Sequence, residues 1–562
     1  MLNWSIGTLV TILGCIGQVH ARTEEPKPRR NVILVICDQE AYGVTAKADF
    51  HLPAREAIAR HGVTFRNHYI AAAMCSPSRA ALLCGQPPQV TGVFDNMGTG
   101  GVPALDPQRP NMGSVMKGLG YKTAYFGKFE MDPELLEAKE SINYEKAVQR
   151  YGFDDFGARG DVGSGPLEGY RHDDEIATEG VRWLRAHARK SGRPFFVVLS
   201  FLNPHDIMYA NANIPGQAPA QRAVSPRVMP PLPRDELYRK QWEFTLSQSL
   251  SESLSAPGMP AALAEYQRGW SGVLGLIPKD RRDMWSVFYN YYLNCLQDND
   301  RCLRKVIDLA DEMDLWKDTS IIMTSDHGEM AGAHGGLNGK GPFCYEANAH
   351  VPLIIAHPGA KPGSSCTALT SHIDLLPTLV GLAGVSQRER PASVEALPGR
   401  DFSSLLSQPR EASPRAVRPG ILYNYVALHK IDADYLIETM GGRFQGKQVS
   451  VPLERIQLDK RGFLAFAFDG RYKLARYYSP AHFNTPRTLS QIMEHNDVQL
   501  FDLEIDPNEV RNLAVEAEKS RDTILRMNGL LNDLMAKEVG ANDGGFLPKA
   551  VRPTGPPLTF DD

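Results

Sequence analysis

Short, nearly unbroken apolar runs punctuate the chain: NVILVIC (31–37), KTAYF (122–126), FFVVLSF (195–201), SIIMT (320–324) and VPLIIA (351–356). Such a run has no polar face. It predicts a strand buried on both sides, as in a parallel sheet covered by helices. Segments of helical period separate the runs. The clearest, LQDNDRCLRKVIDLADEM, puts Leu296, Leu303, Val306, Ile307 and Leu309 on one stripe. Strands alternating with helices predict an α/β fold, with a central, mostly parallel mixed sheet flanked by helices. The stretch 206–260 is long and proline-rich (PGQAPAQRAVSPRVMPPLP), which predicts a surface loop. Beyond about residue 415 the pattern changes. ILYNYVA, GFLAFAFDGRYKLARYY and DVQLFDLEIDP read as antiparallel strands with turns, followed by a helix in KSRDTILRMNGLLNDLMAKEV. The expected organisation is a large domain over 22–415 and a smaller α+β domain with an antiparallel sheet over 416–562.

Composition narrows the class. With 562 residues, 43% hydrophobic and 22% charged, the chain is an ordinary globular protein with a sizeable core. A net charge of −4 argues against a nucleic-acid binder, which carries basic patches. The eight cysteines are scattered without a CxxC pair, which excludes a disulfide scaffold and a cysteine zinc site; Cys37 and Cys84 read as core. The N-terminus MLNWSIGTLVTILGCIGQVHAR carries a short apolar stretch ending in Val19-His20-Ala21. It reads as a signal peptide over 1–21, although it lacks a positive n-region, and directs the protein to the periplasm or the outside. It is too short and glycine-interrupted for a stable membrane span, and no other segment qualifies. ILGC around Cys15 has a weak likeness to a lipid-attachment site.

In open α/β sheets, ligands bind beyond the carboxyl ends of the strands. Four predicted strands deliver polar groups there: Asp38-Gln39, Gly127-Lys128, Asn203-Pro204-His205-Asp206 and Asp326-His327-Gly328-Glu329. A turn explains any one of these; four together point to a site. Asp38, Gln39, Asp326 and His327 offer oxygen and nitrogen ligands, the set for Ca²⁺ or Mg²⁺, with Mn²⁺ or Zn²⁺ allowed by the histidine. Lys128, His205, Arg79 and Lys340 supply cations or hydrogen-bond donors. In AAAMCSPSRAALLCG (71–85), Pro77 and Ser78 look like the opening of a helix, because proline is favoured at the first helical position. Cys75 is then expected just outside the helix N-terminus, where free N–H groups favour negative charge. A metal, several cations and a helix N-terminus make a pocket for a tetrahedral oxyanion ester, sulfate or phosphate.

These segments resemble a known family. CSPSRAALLCG resembles the sulfatase signature Cys-x-Pro-Ser-Arg-x-x-x-Leu-Thr-Gly, and GYKTAYFGK its second signature. NPHD, SDHGEMAGAHGGLNGKGPFCYE, HIDLLPTLVGLAG and LFDLEIDPNEVRNLA fall in the order of the family's later blocks. The resemblance, to the type I formylglycine-dependent sulfatases of the alkaline phosphatase superfamily, covers nearly the whole chain from residue 31. It implies that Cys75 is oxidised to formylglycine by a formylglycine-generating enzyme. One hydroxyl of the hydrated aldehyde then attacks sulfur, and the second expels sulfate, a step closed to a thiol. By the same resemblance Asp38, Gln39, Asp326, His327 and residue 75 hold a divalent metal, foremost Ca²⁺. Their Asp-Gln and Asp-His forms resemble the choline sulfatase and phosphonate monoester hydrolase branch. Arg79 steadies the formylglycine, Lys128 and Lys340 contact the sulfate, and His205 stands beside the leaving oxygen. Asn96 matches a position that contacts the sulfate, and His334 either lines the site on the substrate side or is a hydrogen-bonded structural histidine.

Two departures stand out. Glu130 occupies the place of the histidine in Gly-Lys-x-His, and Cys84 that of the signature threonine. Glu130 is expected to reshape proton handling, to pair with Lys128, or to read a cationic substrate group. The implied activity is hydrolysis of sulfate esters on a sulfated small molecule or glycan. The alternatives are a phosphonate monoester or phosphodiester hydrolase on the same scaffold, and a non-catalytic binder of sulfated ligands. The 206–260 loop and the smaller domain are expected to frame the pocket mouth.

Overall fold

The computed structural model describes residues 29–558 apart from 45–48, 138–140, 158, 164, 190–191, 554 and 556. The expected signal peptide (1–21) and Cys15 lie outside the described residues. Eight strands form the large sheet: β1 (Asn31–Asp38), β2 (Gly62–Tyr69), β3 (Lys122–Gly127), β4 (Asp155–Phe156), β5 (Phe195–Pro204), β6 (Thr319–Ser325), β7 (Leu353–Ala356) and β8 (Ser364–Ser371). Their order is β4-β3-β5-β1-β6-β7-β2-β8. β4, β3, β5, β1 and β6 run parallel, whereas β7 is antiparallel to both β6 and β2. The five apolar runs are all strands, but VPLIIA supplies the antiparallel member.

The sheet is buried on both faces, which explains the unbroken apolar runs. In β1, Val32, Leu34 and Ile36 pack into one core, and Ile33, Val35 and Cys37 into the core on the other side. The second core is closed by two helices, α2 (Glu168–His187) and α4 (Arg282–Glu312). Of the predicted stripe, Leu303, Val306, Ile307 and Leu309 pack there, while Leu296 joins an adjoining cluster. Between α2 and α4 lie the 206–260 stretch, irregular apart from short 3₁₀ turns, and α3 (Ala261–Leu274).

The second sheet is antiparallel, in the order β12-β11-β10-β9, from β9 (Ile421–Tyr425), β10 (Phe463–Phe468), β11 (Tyr472–Tyr478) and β12 (Asp497–Asp502). The predicted terminal helix is α5 (Arg521–Glu538). This sheet has no core of its own. Phe463, Phe466 and Tyr477 share one apolar cluster with Ala72, Ala73, Met74, Met208 and Tyr266 of the larger part. Backbone contact accompanies the shared core: the Asn424 N–H donates to the Ala71 carbonyl at 2.9 Å.

The signature segment forms α1 (Cys75–Cys84), buried throughout. Here the expectation needs correcting. Cys75 is the first helical residue rather than one outside the helix, and Pro77 is the third. Met74 is extended and acts as N-cap, and the Ser78 N–H closes the first turn on the Met74 carbonyl at 3.1 Å. Gly85 ends the helix at φ 67, a left-handed conformation that glycine adopts without steric cost.

Candidate functional site

Strand register brings the predicted site residues to one edge. Cys37 pairs with Ser325 and Asp38 with Pro204, so Asp38, Asp326-His327 and His205 all follow adjacent strand ends. Gly127, at φ 98, pairs with Ser200, and a Cβ at this glycine would meet the Ser200 carbonyl at 2.0 Å. Glycine lets β3 lie against β5 here and turn Lys128 inward.

At the centre, Cys75 Sγ lies 3.1 Å from His327 Nε2 and 3.9 Å from Asp38 Oδ1. The ligand atoms of Asp38, Cys75, Asp326 and His327 all fall within 4.8 Å of one another, and all four residues are buried. His327 Nδ1 sits 3.1 Å from the Gly328 carbonyl. A proton on Nδ1 would leave Nε2 free to face the cluster. Arg79, one turn into α1, binds both carboxylates: Nε to Asp326 at 2.9 Å and Nη2 to Asp38 at 3.1 Å. Its Nη1 donates to the Lys128 carbonyl at 2.9 Å and to Ser200 Oγ at 2.7 Å. The Lys128 ammonium contacts Asp38 and lies 2.9 Å from Glu130.

Gln39 has a positive φ of 75. Its amide nitrogen donates to Glu329, and its amide oxygen accepts from Lys340 Nζ at 2.6 Å. Glu329 is in turn held by the Ala331 and Gly339 N–H groups at 2.7 and 2.8 Å. Glu329 therefore fixes which way the Gln39 amide points. Sequence reasoning quoted Glu329 at the strand end without giving it a part.

Electrostatics distinguishes the two carboxylates. Burial works against ionised Asp38, yet Lys128, His205 and Arg79 hold its carboxyl well below the usual range. Burial and the charge on Asp38 push Asp326 up to about 7. The two buried carboxylates repel one another although Arg79 touches both and Lys128 touches Asp38, and a bound divalent cation would relieve that repulsion. Burial and then Lys340 pull His327 and His205 well below the ordinary histidine range. Burial and Asp38 push the Cys75 thiol up to about 12, far from a reactive thiolate.

A cavity of about 490 Å³ opens beside this centre. Met74, Asn96, Glu130, His205 and Lys340 line its inner end. Asn96 Oδ1 accepts the Ser76 N–H at 3.1 Å and so engages the first turn of α1. The outer wall comes from residues 429–451 of the smaller part, and from 206–260 only Met208 and Tyr209 contribute. One wall contact joins distant segments. Buried Asp95 binds Lys430 and, at 2.9 Å, His429.

His334 does not belong with these residues. It stacks on Tyr345 with ring centroids 3.5 Å apart, lies 3.1 Å from Glu252, and is not among the residues lining the cavity. Left-handed turns at Gly332, Gly335 and Gly336 reverse the chain here. Cys84 is core, and Cys37 is core with polar partners, Asn299 and Arg55.

A buried carboxylate pair, two lysines and a residue at a helix N-terminus gathered at one sheet edge suit a tetrahedral oxyanion ester, and the comparisons give the class: a hydrolase of the sulfatase type within the alkaline phosphatase superfamily. The chain belongs to the sulfatase family, whose model, described as Sulfatase, matches residues 30–385, and it is a sulfuric ester hydrolase. It is 24% identical over 539 residues to arylsulfatase K of Gallus gallus, covering 92% of this chain and 87% of that protein. It is 28% identical over 386 residues to a choline-sulfatase of Rhizobium meliloti (strain 1021), covering 64% and 68%. Among solved structures, one described as a 2-O GAG sulfatase superposes with a TM-score of 0.63 at 18% identity, covering 94% of this chain and 99% of that one.

Proposed function

We propose that this chain removes sulfate from carbohydrate sulfate esters, with a formylglycine made from Cys75 and a divalent cation, foremost Ca²⁺. The observation that carries the reading is the setting of Cys75. It stands at the first position of α1, within 4.8 Å of three metal-type ligands, beside a cavity bearing a lysine and a histidine. Asp38, Gln39, Asp326, His327 and residue 75 would hold the cation. Among the described residues the Gln39 amide oxygen accepts one hydrogen bond, from Lys340, and an amide oxygen has a second lone pair for the metal. The cation would supply Lewis-acid charge, and the formylglycine a hydroxyl nucleophile.

The chain's own residues do the rest. Lys128 and Lys340 hold sulfate oxygens from two sides. Arg79 keeps both carboxylates in place. Asn96 anchors the first turn of α1 and faces the substrate. His205, neutral when the site is empty of substrate, gains affinity for a proton when an anion arrives and delivers it to the leaving oxygen. Glu130 takes over proton handling where the family has histidine.

Residues 1–21 act in this reading as an export signal to the periplasm or the outside. Maturation needs a formylglycine-generating enzyme as partner. Among the described residues no helix is long and apolar enough to cross a membrane. In this reading the chain divides at about 415, into a unit over 22–415 and a smaller one over 416–562 whose antiparallel sheet packs on the larger through a shared core. The decisive experiment is co-expression with a formylglycine-generating enzyme. It is followed by the mass of the tryptic peptide carrying residue 75 and by sulfate release from 4-nitrophenyl sulfate. An aldehyde mass with sulfate release is expected. Unmodified cysteine, or faster cleavage of a phosphodiester than of the sulfate, would overturn the reading.

A further inference from the structure

The cavity continues outward. Arg443 and Phe444 line it and also line an adjoining surface cleft of about 500 Å³, whose other wall carries Arg227, Val228 and Pro166. The two hollows meet along these two side chains. Arginines nearby are engaged by carboxylates: Arg268 by Asp434 at 2.6 Å and Arg455 by Glu438 at 2.8 Å. Among the described residues, neither the Arg443 nor the Arg227 guanidinium has an ion pair or hydrogen bond. No carboxylate lines the cleft, and the one acidic residue lining the inner cavity, Glu130, faces Lys128.

The wall between the sulfate pocket and Arg443 is aromatic. Phe444 meets Tyr209 edge to face, with ring centroids 6.1 Å apart, and Trp270 and Tyr435 line the same cavity. Flat apolar faces of this kind pack against sugar rings. A cavity of about 490 Å³ is within the roughly 300–1,000 Å³ range of small-ligand sites. An arginine fork at its exit matches a carboxylate or sulfate in bidentate fashion.

We propose that Arg443 and Arg227 form a second anion subsite, which reads an oxyanion group on a sugar beyond the one whose sulfate is cleaved. The proposal rests on the sulfatase reading above and specifies the substrate class: a polyanionic glycan chain, bound along the aromatic wall with its further charges over the cleft. The oxyanion is a uronate carboxylate or another sulfate, and the test separates the two.

Binding is measured by calorimetry on the full chain with Cys75 unmodified, so no turnover is required. The probes are a heparin-derived tetrasaccharide, its fully desulfated counterpart that keeps the carboxylates, maltotetraose, and inorganic sulfate. The heparin tetrasaccharide is expected to bind and maltotetraose not to. Arg443→Ser together with Arg227→Ser should weaken the tetrasaccharide at least tenfold and leave inorganic sulfate within twofold. Arg443→Lys should retain part of the affinity. A misfolded variant would lose inorganic sulfate as well, and in that case the single Arg227→Ser, expected to weaken the tetrasaccharide about threefold, decides. Arginine dependence that persists with the desulfated probe, at whatever affinity it binds, assigns the group as a carboxylate; residual binding that no longer depends on the arginines assigns it as sulfate. Equal binding of maltotetraose, or an undiminished tetrasaccharide affinity in the variants, overturns the proposal. Sulfate release by the matured enzyme tests the underlying activity separately.

Discussion

The Lys128 ammonium lies 2.9 Å from Glu130 Oε2 while also contacting Asp38. The carboxylate that replaces the family's histidine is thus drawn onto the lysine expected to meet the sulfate. Glu130 sits at φ 53, and its N–H and that of Phe129 both donate to half-buried Asp161 at 2.8 Å. Its position is therefore built into the loop. One lysine shared between two carboxylates offers a sulfate a weaker positive charge than a lysine facing one.

From this follows a kinetic prediction for Glu130→Gln in the matured enzyme. The neutral amide should lower KM for 4-nitrophenyl sulfate, because Lys128 is then shared less. It should also lower kcat by about 10²-fold, the lower end of a lost acid–base group, with a shift in the pH–rate profile. Steady-state kinetics between pH 5 and 9 would decide. An unchanged rate with an unchanged profile would remove Glu130 from proton handling.

The two-carboxylate brace predicts a large structural effect at Arg79. Arg79→Ala leaves Asp38 and Asp326 buried without their shared partner, a change that costs about 3–5 kcal/mol. Lysine has one ammonium where Arg79 uses three nitrogens on four partners, so Arg79→Lys should recover less than half of the loss. Denaturant midpoints of the three proteins, with chelator present, test this. A substitution costing under 1 kcal/mol would mean that the carboxylates are neutralised by other means.

Much of this arrangement was legible before any coordinates, and its limits have physical reasons. The strands buried on both faces declared themselves because neither face tolerates polar residues. β2 and β8 did not: GVTFRNHY and SSCTALTS mix polar and apolar positions near the sheet margin. Residues following strand ends were readable as site residues because parallel topology gathers those ends. His334 misled because it lies in the same motif-like block as Lys340, SDHGEMAGAHGGLNGKGPFCYE, while three left-handed glycines carry it away. The Asp95–Lys430 pair joins positions 335 residues apart, and no local pattern carries that information.

Metal binding should be visible as stability. With Asp38 and Asp326 crowded together, a cation that binds only the folded state stabilises it by about 2.7 kcal/mol at one hundred times its Kd. Ca²⁺ should raise the thermal midpoint of the chelator-treated protein, and Asp326→Asn should abolish most of that rise. Differential scanning calorimetry with and without Ca²⁺, Mg²⁺ or Mn²⁺ ranks the ions. A midpoint indifferent to every ion would argue against a metal site at this cluster.

The outer wall of the cavity depends on a buried charge whose pH response has a definite sign. Burial works against the ionised Asp95 carboxyl, but Lys430 and His429 outweigh it and bring it from an ordinary 3.8 down to about 2. A carboxyl depressed in the folded state contributes stability that is complete above its unfolded pKa and is lost as pH falls through the folded one. The contribution, about 2 kcal/mol, should therefore be full above pH ~5 and vanish between pH ~4 and pH ~2. Asp95→Asn removes it at every pH and leaves Lys430 buried without its carboxylate, so the variant should be less stable at pH 7 by at least this amount. The gap between the two proteins should narrow on acidification, to about half by pH 3, read as thermal midpoints from pH 7 down to pH 3. Because His429 and Lys430 line the cavity, the same variant should raise KM for a glycan sulfate. A gap that stays constant down to pH 3 would show that the Asp95 carboxyl is not depressed in the folded protein.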